Sequence, residues 1–166
     1  MRAEGETIRQ VDYSEGLQVG YRCYQAQGEQ PLFAFGHGLS YTDFALFGLK
    51  VSASGDSGDD GLTVRFRVTN SGKRTGTEVP QVYLELPRSA GEPAPRLVAW
   101  ERVTLQAGQS RTVTVHLSAR EIAERHLTQY WDSARDEWRT PSGTFTAHVG
   151  ASSHTTRARE ITLGRP

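Results

Sequence analysis

Cysteine is almost missing from this chain. Cys23 stands alone among 166 residues, so no internal disulfide can form and no cysteine-based metal cluster can be built. Lysine is scarce as well: Lys50 and Lys73 are the two lysines among 19 cationic residues, a compositional bias rather than a site. A surplus of either charge is absent, since 19 Lys+Arg balance 19 Asp+Glu. Bulk charge therefore gives no reason to expect nucleic acid or an anionic membrane as a partner. No apolar run approaches membrane-spanning length. The polar, charged N-terminus does not read as a signal peptide, and the compartment stays open.

Several chemistries are excluded in the same way. His37, His116, His126, His148 and His154 show neither i,i+4 nor His-x-His spacing, so no metal is expected. His116 and His148, both assigned to the wet faces of strands, leave a cross-strand zinc pair as the one arrangement to check. The run Asp56-Ser57-Gly58-Asp59-Asp60-Gly61 fails as a calcium loop. Gly58 falls at its third position and Arg67 at its twelfth, where a bidentate Glu is required, and the run reads as a solvated turn. No Gly-x-Ser-x-Gly elbow is present. Gly36-His37-Gly38 is not read as a phosphate cradle, because Tyr41 replaces the third glycine and no strand–turn–helix pattern surrounds it. No cofactor is expected.

What the chain does have is alternation. Leu62, Val64, Phe66 and Val68 alternate with Thr63, Arg65, Arg67 and Thr69, which predicts an antiparallel strand with one wet face. Val113, Val115 and Leu117 repeat the pattern, as do Phe145, Ala147 and Val149. Leu46, Leu49 and Val51 predict a first strand. Val79 to Leu86 predicts another, with Val82, Leu84 and Leu86 inward and Pro80 marking an edge or bulge. Leu97 to Leu105 contributes Trp100, Val103 and Leu105, with Trp100 assigned to the core or to a domain interface. Leu127 to Trp131 and Glu137 to Arg139 read as a hairpin around Asp132-Ser133-Ala134-Arg135, and Ile161 and Leu163 as a last strand. Ser118 with Glu121 three residues on predicts a capped helical turn. Turns recur about every eight to twelve residues, so the fold class is all-β: a two-sheet antiparallel β-sandwich, fibronectin type III/immunoglobulin-like, with an extended N-terminal linker. In that linker Leu17, Val19 and Tyr21 alternate, predicting a short strand.

The stretch Pro31-Leu32-Phe33-Ala34-Phe35-Gly36-His37-Gly38-Leu39-Ser40-Tyr41-Thr42-Asp43-Phe44 divides linker from sandwich. It is too apolar for an exposed connector, and its glycines permit a positive φ or a close backbone approach. His37 reads as a packed or hydrogen-bonded junction residue rather than a ligand or base. The stretch resembles the P-L-F-P-F-G-x-G-L-S-Y-T-x-F signature of glycoside hydrolase family 3, with Ala34 replacing the second proline. Tyr13 to Tyr24 is similar to that family's Y-x-E-G-x-x-V-G-Y-R-Y segment. Val68 to Gly72 with Gly76 to Tyr83, Leu97 to Leu105, and Gly143 to Ser153 resemble further motifs of its C-terminal fibronectin type III-like domain. The resemblance runs over about residues 11 to 163.

The resemblance implies a division into residues 1–42, linker and junction from a preceding catalytic domain, and residues 43–166, the sandwich. It implies a parent like the β-glucosidases, which cleave terminal sugars with retention and need two carboxyl groups. In that family these lie on domains that precede this segment, and no catalytic residue is assigned here. The expected role is a non-catalytic accessory domain that braces the catalytic domains. Tyr21, Arg22, Phe33, Phe35, Gly36, His37, Gly38 and Tyr41 are the candidate interdomain junction. Tyr130, Trp131 and Trp138 are candidates for stacking on carbohydrate, against the plainer reading that they pack in the core or at a domain interface. Expected partners are the catalytic domains of the parent, with carbohydrate or a second copy as alternatives. A carbohydrate-binding module and an independent interaction domain remain the rival functions.

Overall fold

The computed structural model describes residues 12–54, 61–92, 94–154 and 156–162. In chain order the elements are α1 (Tyr21–Gln27), β1 (Phe44–Ser54), β2 (Gly61–Asn70), β3 (Gly76–Glu78), β4 (Gln81–Glu85), β5 (Arg96–Trp100), β6 (Val103–Leu105), β7 (Ser110–Leu117), α2 (Ala119–Glu124), β8 (Tyr130–Asp132), β9 (Glu137–Arg139), β10 (Thr144–Gly150) and β11 (Thr156–Thr162). One sheet has the order β1-β2-β7 and the facing sheet β11-β10-β4-β5, while β3-β6 and β8-β9 form two-stranded ribbons. All pairings are antiparallel. The fold is an all-β sandwich.

The alternation predicted for β2 is the alternation observed. Leu62, Val64, Phe66 and Val68 are buried, and they meet Val82, Leu84, Phe145 and Val149 of the facing sheet in one core with Val103, Leu105, Val113 and Leu117. The three-residue step from Leu46 to Leu49 has a local cause. The pairing of β1 with β2 shifts register between Phe47 and Lys50, and Gly48 sits there at φ 68. This is a bulge that returns the apolar side chains to the inner face. The expected Val79–Leu86 strand is shortened to Gln81–Glu85, starting only after Pro80. Lacking an N–H, the proline cannot continue the ladder. The chain before it pairs in the β3-β6 ribbon and the chain after it in the large sheet.

One expectation is corrected here and another narrowed. The Leu17–Tyr21 alternation does not produce a strand: residues 14–17 turn, and Tyr21 opens α1. Gly20 at φ 58 precedes the helix and Gly28 at φ 68 closes it, positions that glycine fills without steric cost. Of the two places expected for Trp100, the core is excluded by its 63% exposure, which leaves the domain interface. The zinc pair also fails, because His116 on β7 bonds Thr63 while His148 on β10 of the other sheet bonds Glu85. At α2 the predicted cap is present in both directions. Ser118 accepts from the Glu121 N–H, and the Glu121 side chain accepts from the Ser118 N–H. These bonds hold the Glu121 carboxyl below its ordinary value. The Asp56–Asp60 loop and Leu163 lie outside the described residues.

Candidate functional site

The linker folds back on the outer face of the β11-β10-β4-β5 sheet, and Tyr21 is its anchor. The Tyr21 hydroxyl donates to the Pro95 carbonyl at 3.0 Å and accepts from the Leu97 N–H at 2.9 Å. Its ring stacks on Phe35 at 5.3 Å and meets Tyr83 edge-on at 5.7 Å. Tyr83 projects from β4 away from the core, yet it is 1% exposed; its hydroxyl donates to Gln81. Burial raises the pKa of both phenols, since a buried phenolate loses its hydration.

One residue on, Arg22 pairs with Glu92, whose carboxylate is also held by Arg96 at 2.6 Å. The Glu92 side chain is 6% exposed. A carboxylate buried that far is tolerated when its oxygens are matched by charged donors. Gln25 adds a bond from its amide nitrogen to the Ser153 carbonyl at 2.7 Å.

Beyond α1 the chain forms a strap over the sheet's end. The Ser153 N–H donates to the Phe35 carbonyl at 2.9 Å. Gly36 has φ 80, and a Cβ there would lie 1.8 Å from the Gln81 amide nitrogen, so glycine is required twice over. A Cβ at Gly38 would meet nothing within 4 Å. His37 is exposed, its N–H closing a turn on the Ala34 carbonyl at 2.9 Å and its ring 5.4 Å from Phe33. The strap ends at Thr42, which is buried and donates to Asn70 Oδ1 at 2.6 Å. Asn70 is fully buried. It also accepts from the Gly72 N–H and donates to the carbonyls of Arg74 and Leu105, so one amide ties strap, turn and β6. Just before the Phe35 bond, and between it and Thr42, the large apolar side chains face solvent: Leu32 is 97% exposed, Leu39 95%, Tyr41 90% and Phe33 75%.

The eight junction candidates therefore separate by geometry. Tyr21, Arg22, Phe35 and Gly36 touch the sandwich or its anchor. Phe33, His37 and Tyr41 project away from it, and Gly38 makes no demand.

The hairpin aromatics lie elsewhere. Tyr130 is half-buried against the core, while Trp131 and Trp138 are 47% and 42% exposed. The two indoles meet at 5.5 Å edge to face. Trp138 also stacks near-parallel on His126 at 4.0 Å. At the turn, Arg135 and Arg139 hold Asp132, whose carboxyl is kept below its ordinary value by the Arg135 hydrogen bond first. A cleft of about 350 Å³ separates this hairpin from the linker, lined by Leu17, Arg22, Glu92, Arg96, Arg125 and His126 beside the three aromatics, with Ala90. Glu92, Arg96, Arg125 and His126 carried no signal in the sequence. The partners of the Arg22–Glu92 pair are 70 residues apart, and no local spacing announces such a contact. Among the described residues no group of three or more His, Cys, Asp or Glu could hold a metal ion.

Comparison with known proteins places this geometry. Residues 78–153 match the fibronectin type III-like domain family. The thermostable β-glucosidase B of Acetivibrio thermocellus is 39% identical over 150 residues, covering 90% of this chain and 19% of that protein. The solved structure of DesR, a β-glucosidase from Streptomyces venezuelae, superposes with a TM-score of 0.78 at 39% identity, over 92% of this chain and 19% of that one. The GH3 β-glucosidase of Bifidobacterium adolescentis gives a TM-score of 0.79 at 32% identity, over 92% of this chain and 22% of that one. The class is thus a fibronectin type III-like β-sandwich. More narrowly, the chain corresponds to the fibronectin type III-like portion of glycoside hydrolase family 3 β-glucosidases, together with the segment that precedes it. It spans about a fifth of the length of these relatives.

Proposed function

We propose that this chain is a non-catalytic accessory domain of a family 3 glycoside hydrolase, and that its role is to brace the catalytic domains. On this reading residues 1–42 are linker and junction and residues 43–166 the sandwich. The parent hydrolyses terminal β-glucosyl or related O-glycosidic bonds, and the carboxyl pair for that chemistry lies outside this chain. The observation that carries the reading is the strap. It is hydrogen-bonded to the sandwich at Phe35 and at Thr42, while Leu32 and Phe33 just before the first bond and Leu39 and Tyr41 between the two are left in solvent. A folded chain that leaves so many large apolar side chains in one short segment uncovered presents an interaction surface. The covering partner is the catalytic portion, and a second copy is the alternative occupant of the same surface.

The test is a chimera in which this chain replaces the corresponding portion of DesR. The chimera is expected to hydrolyse an aryl β-glucoside, the isolated chain is not, and the amides of residues 32–41 gain exchange protection in the chimera. An active chimera whose strap amides exchange as fast as in the isolated chain overturns the bracing role.

A further inference from the structure

We propose that the cleft between the linker and the tryptophan hairpin binds an acidic sugar, a pyranose that carries a carboxylate. The argument starts from charge. The lining brings three guanidiniums, from Arg22, Arg96 and Arg125, against one carboxylate, Glu92. Glu92 is saturated by Arg22 and Arg96. Arg96 is committed in turn, with Nε and Nη2 on Glu92 and Nη1 on the His126 carbonyl at 2.8 Å. Arg22 Nε is buried without an acceptor. Arg125 is exposed, and it spends Nη1 on the Val98 carbonyl at 3.3 Å, leaving its outer edge to solvent. The hairpin carries Asp132, Asp136 and Glu137 against Arg135 and Arg139, but none of these three carboxylates lines the cleft; Asp132 is held by Arg135 and Arg139, and Glu137 lies beside Arg139. A guanidinium fork matches the two oxygens of a carboxylate.

The second half of the site is the aromatic wall. His126 covers one face of Trp138, so Trp131, 47% exposed, offers the larger open indole surface. Sugar rings present apolar C–H faces that pack on such a surface. The cleft of about 350 Å³ lies within the range of small-molecule sites, roughly 300–1,000 Å³. A neutral sugar would use the wall and leave the guanidinium surplus unmatched; a simple anion would do the reverse. An acidic sugar uses both. This proposal does not depend on the bracing role of the strap, which lies on other residues.

The experiment titrates the full chain with trigalacturonate, cellotriose, sulfate and a short oligo-aspartate peptide, reading the indole N–H resonances of Trp131 and Trp138 against that of Trp100. Trigalacturonate is expected to shift the first two saturably and leave Trp100 unmoved. Cellotriose should bind about tenfold more weakly, the loss expected for one missing charge-assisted hydrogen bond. Arg125→Gln should remove that preference while Arg125→Lys retains part of it, and Trp131→Ala should weaken both sugars; dispersion of the remaining resonances verifies that each variant is folded. Added salt should weaken trigalacturonate more than cellotriose. Four results overturn the proposal: no saturable shift with trigalacturonate, equal affinity for cellotriose, an equal response to sulfate alone, or tighter binding of the peptide, which would assign the cleft to an acidic protein segment.

Discussion

Replacing Tyr21 by Phe removes one oxygen and leaves the ring between Phe35 and Tyr83. That oxygen makes two hydrogen bonds, to the Pro95 carbonyl and from the Leu97 N–H. At about 1 kcal/mol for each neutral bond, the loss is about 2 kcal/mol, or roughly a thirtyfold rise in the population with the linker lifted. Native-state hydrogen exchange reads this at two amides. Leu97 loses its acceptor outright, and Ser153, which donates to the Phe35 carbonyl, is exposed whenever the linker opens. Ser153 should exchange about thirtyfold faster in the variant and Leu97 faster by at least that factor, while amides of β2 and β10 keep their protection. Unchanged exchange at Leu97 and Ser153 would refute the anchoring role. An equal loss across β2 and β10 would show instead that linker and sandwich open as one unit.

The same oxygen sets a pH dependence. Burial raises the Tyr21 ionisation above 10.0, so the folded form favours the protonated phenol. Its contribution is complete below pH 10.0 and is lost as the pH rises through the higher folded value. Alkaline titration of tyrosine absorbance, differenced between wild type and Tyr21→Phe, should show this phenol ionising late. A phenol that titrates at or below pH 10.0 contradicts the buried anchor.

Phe66→Ala should cost about 3–5 kcal/mol in urea unfolding, since Phe66 is 2% exposed at the centre of the core; a cost under about 1 kcal/mol would mean that the inner face is misassigned. Asn70→Ala strands the Thr42 hydroxyl and the Leu105 carbonyl, and at about 1–3 kcal/mol for each buried group left unpaired it should destabilise by several kcal/mol. A near-neutral Asn70→Ala would show that water replaces the amide. Leu32→Ser, Phe33→Ser and Leu39→Ser combined should leave the isolated chain's urea midpoint nearly unchanged while lowering the activity of the DesR chimera; a large midpoint shift would place these side chains in the core.

Much of the sandwich was legible because its signal is local. Period-two alternation is written into β2, β7 and β10, and the α2 cap needs two residues three apart. The linker was not legible for the opposite reason. The seven residues of α1 span about two helical turns, too few for a 3.6-residue period to outweigh the chance alternation of Leu17, Val19 and Tyr21. β4 held a clue: Val82, Tyr83 and Leu84 form a continuous apolar run, which marks a strand covered on both faces. The cover is Tyr21, 62 positions earlier, and no spacing rule connects them. Of the junction candidates, Phe35 and Gly36 could be picked out by apolar composition and glycine chemistry, and Tyr21 and Arg22 by the resemblance of their segment to the family's. Their separation from Phe33, His37 and Tyr41 depends on which way the strap faces. Trp131 and Trp138 stood out as aromatics, whereas the arginines beside them sit on α1, on β5 and at the end of α2, brought together by the fold.

The anchoring of α1 also bears on how such a domain can be moved between enzymes. A recombination joint placed at Phe44, where the first sandwich strand begins, would strip Tyr83 of its aromatic cover and leave Glu92 with one guanidinium in place of two. The sandwich so transferred would carry an exposed aromatic face and an under-paired buried carboxylate into its new host. A joint placed before Gly20 carries the anchor along. The unit that can be exchanged intact is thus longer than the β-sandwich, and alignments of the strands alone would place its edge some two dozen residues too late.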